Sequence, residues 1–231
     1  MSRILCIFPN DSTTMFLNEI VGTLEKAFSG ILTCIRIEPT IDAHNECLTL
    51  ISNEPDDSLI LFLGHGQSDK LFGASSEGQS DEYKVFKEKG FIHGDNISVF
   101  ANKKVISLSC NSNETIGKDA ITQKCTSFIG FGNIPTDWII EIDEYSQIKS
   151  KDIDYFNEIL CIIVANSIIY SIQHGFTFAQ FEKLFKIIVN KEIIEKLHHV
   201  YAENAWWIDR SLYNLKDEIT IFGNHNCKLI G

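Results

Sequence analysis

Ser58-Leu59-Ile60-Leu61-Phe62-Leu63-Gly64-His65-Gly66 is the stretch that decides how this 231-residue sequence is read. Five apolar residues in a row, without alternation, describe a short strand buried on both faces. That is the pattern of a parallel sheet covered by helices. Two glycines close the strand and hold one histidine between them. On the amino-terminal side, Arg3–Phe8 is a first strand, with Pro9-Asn10-Asp11-Ser12 behind it as turn and helix cap. Leu17, Ile20, Val21, Leu24 and Phe28 recur at helical spacing, and Gly30 is placed as the left-handed residue that ends this helix. Ile31–Ile37 is a second strand, and Ile41–Ile51 a second helix. On the carboxyl side, Val105–Leu108 and Thr126–Phe131 are the fourth and fifth strands, with a helix over Glu114–Gln123 between them.

Strands alternating with helices give an α/β chain, a mostly parallel sheet with helices on both faces. Residues 67–103 interrupt the alternation. Gly73–Gly90 is polar, and Leu71-Phe72 and Phe91-Ile92 on either side of it can pair as a small hairpin under an exposed loop or lid. After residue 150 the pattern turns helical. Ile153, Phe156, Leu160, Ile163 and Ser167 share one face, with Gly175 as the stop. Thr177 and Gln180 form a capping box for the next helix, with Phe181, Leu184, Phe185 and Ile188 inward. A third helix is expected from Ile193 to about Leu212, then a last strand at Ile219–Phe222 and a turn at Gly223–Asn226. No repeat, low-complexity run or linker divides the chain. The expected organisation is one domain over 1–231, sheet-rich to residue 150 and helical from 151 up to the final strand.

Composition narrows the function. Twenty basic against thirty-one acidic side chains give a net charge of −11, which repels a polyphosphate and disfavours a nucleic-acid partner. The amino terminus lacks the long apolar stretch of a signal peptide. The most apolar later run, Ile159–Val164 extended through Ile169, is interrupted by Asn166 and Ser167 and is expected to fall short of the ~20 residues that span a bilayer. A cytoplasmic setting without membrane attachment follows, with the seven cysteines reduced. Their odd number and the absence of any Cys-x-x-Cys argue against a disulfide framework or a structural zinc site.

In open α/β sheets the carboxyl ends of the strands carry the ligand site. Four segments fall there: Pro9-Asn10, Gly64-His65-Gly66, Ser109-Cys110-Asn111 and Gly132-Asn133. Two of them bear groups that make a nucleophile and a base, the Cys110 thiol and the His65 imidazole. Neighbouring strands lie about 4.8 Å apart, so side chains rising from adjacent ends can meet. An imidazole beside a thiol takes its proton and later protonates the leaving amine of an acyl transfer. The Gly66 and Cys110 N–H groups are the expected oxyanion donors.

A strand ending in Gly-His-Gly, then about 45 residues, then a strand ending in Ser-Cys-Asn-Ser resembles the caspase-like cysteine peptidases, and among these the CHAT peptidases most closely. The apolar strand Thr126–Phe131, the long helices and the closing Ile219–Gly223 segment suit the same resemblance, which covers roughly residues 55–225. It implies a three-layer sandwich around a six-stranded sheet, and cleavage of protein substrates by a Cys110–His65 dyad with no metal or cofactor. It also implies control by a partner protein, as in prokaryotic antiviral effectors. Two departures stand out: the Gln-Ala-Cys-x-Gly signature is replaced by Leu108-Ser109-Cys110-Asn111-Ser112, and Pro135–Trp138 only loosely matches the family's Trp-centred segment.

Asp137 is the expected substrate-binding residue, ahead of Glu141, Asp143 and Glu144, and favours a basic side chain before the scissile bond. With arginine only at positions 3, 36 and 210, a pocket for Asp is disfavoured. His93-Gly94 is a rival to His65-Gly66, but it follows too short an apolar piece. Cys6, Cys34, Cys125 and Cys161 are expected as core residues, and Glu195, His198 and His199 as solvated. Two alternatives stand beside the peptidase reading. One is a flavodoxin-like or inactive peptidase-like module that binds a protein. The other is a hydrolase using Ser68 or Ser109, for which neither a Gly-x-Ser-x-Gly elbow nor a phosphate loop is present.

Overall fold

The apolar run after Ser58 is a strand, β3 (Leu59–Leu63), and all five of its residues are buried. A computed structural model describes residues 3–75, 90–135, 148, 150–197 and 205–231. Before β3 come β1 (Ile4–Pro9), α1 (Asn18–Ala27), β2 (Leu32–Ile37) and α2 (Ile41–Asn53). A small antiparallel sheet follows, made of β4 (Gly66–Gln67), β5 (Lys70–Leu71) and β6 (Ile92–His93). The chain then returns to the main sheet as β7 (Lys104–Leu108), α3 (Thr115–Thr122) and β8 (Ser127–Gly130). Three helices, α4 (Ser150–Gln173), α5 (Phe178–Glu192) and α6 (Ala205–Asp217), lead to the last strand, β9 (Thr220–Gly223).

The main sheet has six strands in the order β2-β1-β3-β7-β8-β9. All pairings are parallel except β8 with β9. Alternation sorts its side chains into two cores. Ile4, Cys6, Leu59, Leu61, Leu63, Ile106, Leu108 and Ile129 face α1, α4, α5 and α6. Leu5, Ile7, Ile60, Phe62, Val105 and Phe128 face α2 and α3. Helices therefore cover both faces of a mostly parallel sheet, the three-layer arrangement expected from the sequence. Each fully buried Leu, Ile or Phe contributes about 1.5–3 kcal/mol by leaving water, so the central strands carry much of the stability.

The elements stand close to where the sequence puts them, including the small hairpin, in which Leu71 is the register partner of Ile92. The capping box is formed: Gln180 N–H donates to Thr177 Oγ1, and Thr177 N–H to Gln180 Oε1. Gly175 has φ +63 and stops α4 as expected. Gly30 does not play that part at α1. The helix ends at Ala27, Phe28 leaves it at φ −131, and Gly30 is outside the left-handed region. The Phe28 carbonyl, which accepts from Ile31 and Leu32 N–H, makes the turn instead. Of the helix expected over 193–212, the described residues form one wide turn, Ile193–Leu197, that continues α5, and α6 from Ala205 to Asp217; residues 198–204 lie outside the described residues. α4 is also longer than the apolar run suggested. Its 24 residues are long and apolar enough to cross a membrane, but its apolar stretch is mostly buried, and it acts as the core helix over the sheet.

Candidate active site

β3 and β7 are neighbours, and their register ends on the pair Leu63–Leu108. His65 and Cys110 each lie two residues further on. By the two-residue period of a strand, both continue the face that carries Leu63 and Leu108. Cys110 packs against that core, and His65 and Cys110 line one small cleft of about 10 Å³, with Thr14, Phe16, Leu17, Gly64, Leu108, Ile134 and Leu160. The structure thus brings together the two residues that the sequence nominated as base and nucleophile.

The turn that presents Cys110 is braced by hydroxyl groups. Ser107 and Ser109 share a hydrogen bond of 2.8 Å. The buried Ser112 hydroxyl donates to the Ser109 carbonyl at 2.8 Å and the Ser107 carbonyl at 3.0 Å, and accepts from Phe131 N–H at 3.0 Å. Asn111, next to the cysteine, has φ +54, a left-handed conformation that asparagine tolerates better than most residues. It turns the chain sharply and leaves the sulfur at the apex, partly buried. The thiol donates to the Ile134 carbonyl at 3.3 Å. Gly130 is needed for the same turn, because a Cβ there would lie 2.2 Å from the Ser112 carbonyl oxygen.

Gly66 is pressed against this turn. A Cβ on it would lie 2.9 Å from both Ser109 Cβ and Oγ, and 3.0 Å from the Cys110 carbonyl oxygen. The glycine thus serves first to let the histidine-bearing and cysteine-bearing turns close on each other. Phe72 N–H donates to the His65 carbonyl at 3.0 Å, which makes Gly66 and Leu71 a non-hydrogen-bonded pair of the β4–β5 ladder. The ladder therefore does not use the Gly66 N–H.

His65 is held from the turn after β1. Its Nε2 lies 2.5 Å from Thr13 Oγ1 and 3.9 Å from Asp11 Oδ1. Asp11 accepts from the Thr13 N–H at 2.9 Å, the Thr13 hydroxyl at 2.5 Å and the Ser75 hydroxyl at 2.6 Å. Burial alone would raise its carboxyl. The Ser75 and Thr13 hydrogen bonds, aided by nearby His65, outweigh that and hold it below the usual carboxylate value. Sequence reasoning read Asp11 only as part of a cap, a role it does fill for the short turn Ser12–Leu17. Its second role was signalled only by its position at the carboxyl edge of the sheet, beside the strand that carries His65.

The remaining candidates separate cleanly. His93 sits in β6, opposite Lys70, with Nδ1 3.7 Å from Asp95. Ser109 is 1% exposed and bonded to Ser107, so it offers no accessible nucleophile. Ser68 lies in the β4–β5 turn, where its carbonyl accepts from Ile116 N–H. Cys6, Cys125 and Cys161 are buried, as is Cys47, while Cys34 is half-buried opposite Cys6 on the edge strand. Burial pushes the Cys47, Cys125 and Cys161 thiols up to about 12. Arg36 bonds to Asn10 and lies 4.0 Å from Glu38. Asp137, Glu141, Asp143, Glu144, His198 and His199 lie outside the described residues. A scan against protein-family models finds no match to this chain, and a search among curated proteins finds none.

Proposed function

We propose that this protein is a cysteine endopeptidase that cleaves protein substrates with Cys110 as nucleophile and His65 as base and acid. The observation that carries this reading is the convergence of those two side chains on one cleft from adjacent, in-register strand ends. The chemistry is acyl transfer. Cys110 Sγ attacks the carbonyl carbon of the scissile peptide bond as His65 takes the thiol proton. The negative charge that develops on the carbonyl oxygen is met by the Gly66 and Cys110 N–H groups, each such donor being worth roughly 3 kcal/mol. The C–N bond then breaks, His65 protonates the departing amine, and the thioester remains on Cys110. Water attacks that thioester, gives its proton to His65, and releases the acid and the free thiol.

The rigid brace around the turn suits this work, since a nucleophile displaced by 1 Å loses much of its advantage. The resemblance to CHAT peptidases adds a setting, a cytoplasmic effector whose activity a partner protein controls. The proposal is tested by incubating the protein with a degenerate peptide library and identifying new amino termini by mass spectrometry. Cleavage at a defined sequence by the wild-type chain, and none by Cys110→Ala, is expected. Cleavage that survives Cys110→Ala, at the same sites and rate, overturns it.

A further inference from the structure

The contacts behind His65 constrain where its proton sits. Asp11 is an acceptor on both oxygens: Thr13 N–H and the Thr13 hydroxyl reach Oδ1, and the Ser75 hydroxyl reaches Oδ2. A hydroxyl has one proton, and that of Thr13 is directed to Asp11. Thr13 Oγ1 therefore meets His65 Nε2, 2.5 Å away, as an acceptor. The hydrogen on the neutral ring must then be on Nε2, and the unprotonated nitrogen is Nδ1. Asp11, from the turn after β1, faces His65, and Cys110, from the end of β7, lines the same cleft. The other described residues that line the cleft, Thr14, Phe16, Leu17, Gly64, Leu108, Ile134 and Leu160, carry no charge.

We infer that Asp11 and Thr13 are positioning residues for the His65 base: Thr13 fixes the ring through Nε2–H, and Asp11 orients Thr13 and opposes the positive charge on the ring. This rests on the reading of His65 and Cys110 as a dyad and adds a third and fourth member to it. Three separate chain segments converge there: the β1 turn supplies Asp11 and Thr13, the end of β3 supplies His65, and Ser75 ties down the far carboxylate oxygen. The Asp11 to His65 separation of 3.9 Å, with a hydroxyl between, lets a carboxylate act on the ring without taking its proton. A positive ring stabilises the Cys110 thiolate. The Asp11 carboxylate therefore lowers the pH at which Cys110 becomes reactive, although it never touches the substrate.

The test uses the full chain and the second-order rate of Cys110 alkylation by iodoacetamide, measured from pH 4 to pH 10 by site-resolved mass spectrometry. Asp11→Asn is the first variant, because asparagine still caps the following turn. Its alkylation at neutral pH is expected to fall about tenfold or more, with the half-maximal pH moving up by about one unit. Thr13→Val is expected to do the same, and Thr13→Ser, which keeps the hydroxyl, to recover most of the rate. Folding of each variant is checked by its melting temperature. Folded Asp11→Asn and Thr13→Val proteins with the wild-type pH profile overturn the inference and leave the dyad standing. A wild-type profile that His65→Ala does not change overturns the dyad itself, and the inference with it.

Discussion

His65 and Cys110 are in register: each stands two residues beyond Leu63 and Leu108, the last paired residues of β3 and β7. The spacing of 45 positions between the two site residues equals the offset of the two strands. Two-residue periodicity then places both on the face that looks toward α1 and α4, and a single cleft receives them. The shared placement of His65 and Cys110 is thus a property of the sheet, with the loops supplying only the turns.

Those turns touch at Gly66. Replacing it by alanine puts a methyl carbon 2.9 Å from Ser109 Cβ, where real side chains do not go. Either the Cys110 turn or the His65 turn must shift. Gly66→Ala is expected to cost about 1–3 kcal/mol in urea unfolding, as overpacking does. It should cost far more in activity, because the displaced atoms are those of the site. A folded Gly66→Ala protein with full activity would show that the close approach has no catalytic consequence.

The left-handed residue beside Cys110 gives a second check. Asn111 has φ +54, so Asn111→Gly is expected to preserve both stability and activity, while Asn111→Val should lose roughly 1–2 kcal/mol from its backbone conformation. Equilibrium unfolding of the two variants, with peptide cleavage alongside, measures both. Equal stability of the valine and glycine variants would contradict the assigned turn.

Legibility in the sequence followed the physics of each feature. β3 was plain, because only a strand buried on both faces has a reason to be Leu59-Ile60-Leu61-Phe62-Leu63. The shared strand-end placement of His65 and Cys110 is legible because both strands are plain in the sequence, and open parallel sheets place ligand sites there. Asp11 was missed because capping already accounted for it, and its distance of 54 positions from His65 gives no local pattern. The Gly30 expectation failed for a similar reason. Glycine permits a left-handed stop without requiring one, and the turn closes through the Phe28 carbonyl instead. The role of Gly66 was half legible: the lack of a Cβ mattered, but what fills that space is Ser109, six residues before Thr115 opens α3.

The other thiols supply an internal control and a pH dependence. Burial pushes Cys47, Cys125 and Cys161 from an ordinary value of 9.0 up to about 12. In the folded protein they stay protonated where an unfolded chain would release protons. The stability tied to this is complete below pH 9.0 and is lost as pH rises from there toward about 12. Melting temperature is therefore expected to fall steadily above pH 9. At pH 8, iodoacetamide should leave these three cysteines unmodified in the native protein and modify them in urea. Rapid native labelling of Cys125 or Cys161 would contradict their packing in the core.

The central claim concerns the Cys110 sulfur and the His65 ring, and covalent capture tests it most directly. The full chain is treated with a peptidyl acyloxymethyl ketone, whose carbon is attacked by a thiolate with departure of a carboxylate, and the adduct is mapped by mass spectrometry. The account predicts one adduct, on Cys110, abolished in Cys110→Ala and slowed about 100-fold or more in His65→Ala. An adduct that persists in Cys110→Ala, or a labelling rate unchanged in His65→Ala, would contradict it.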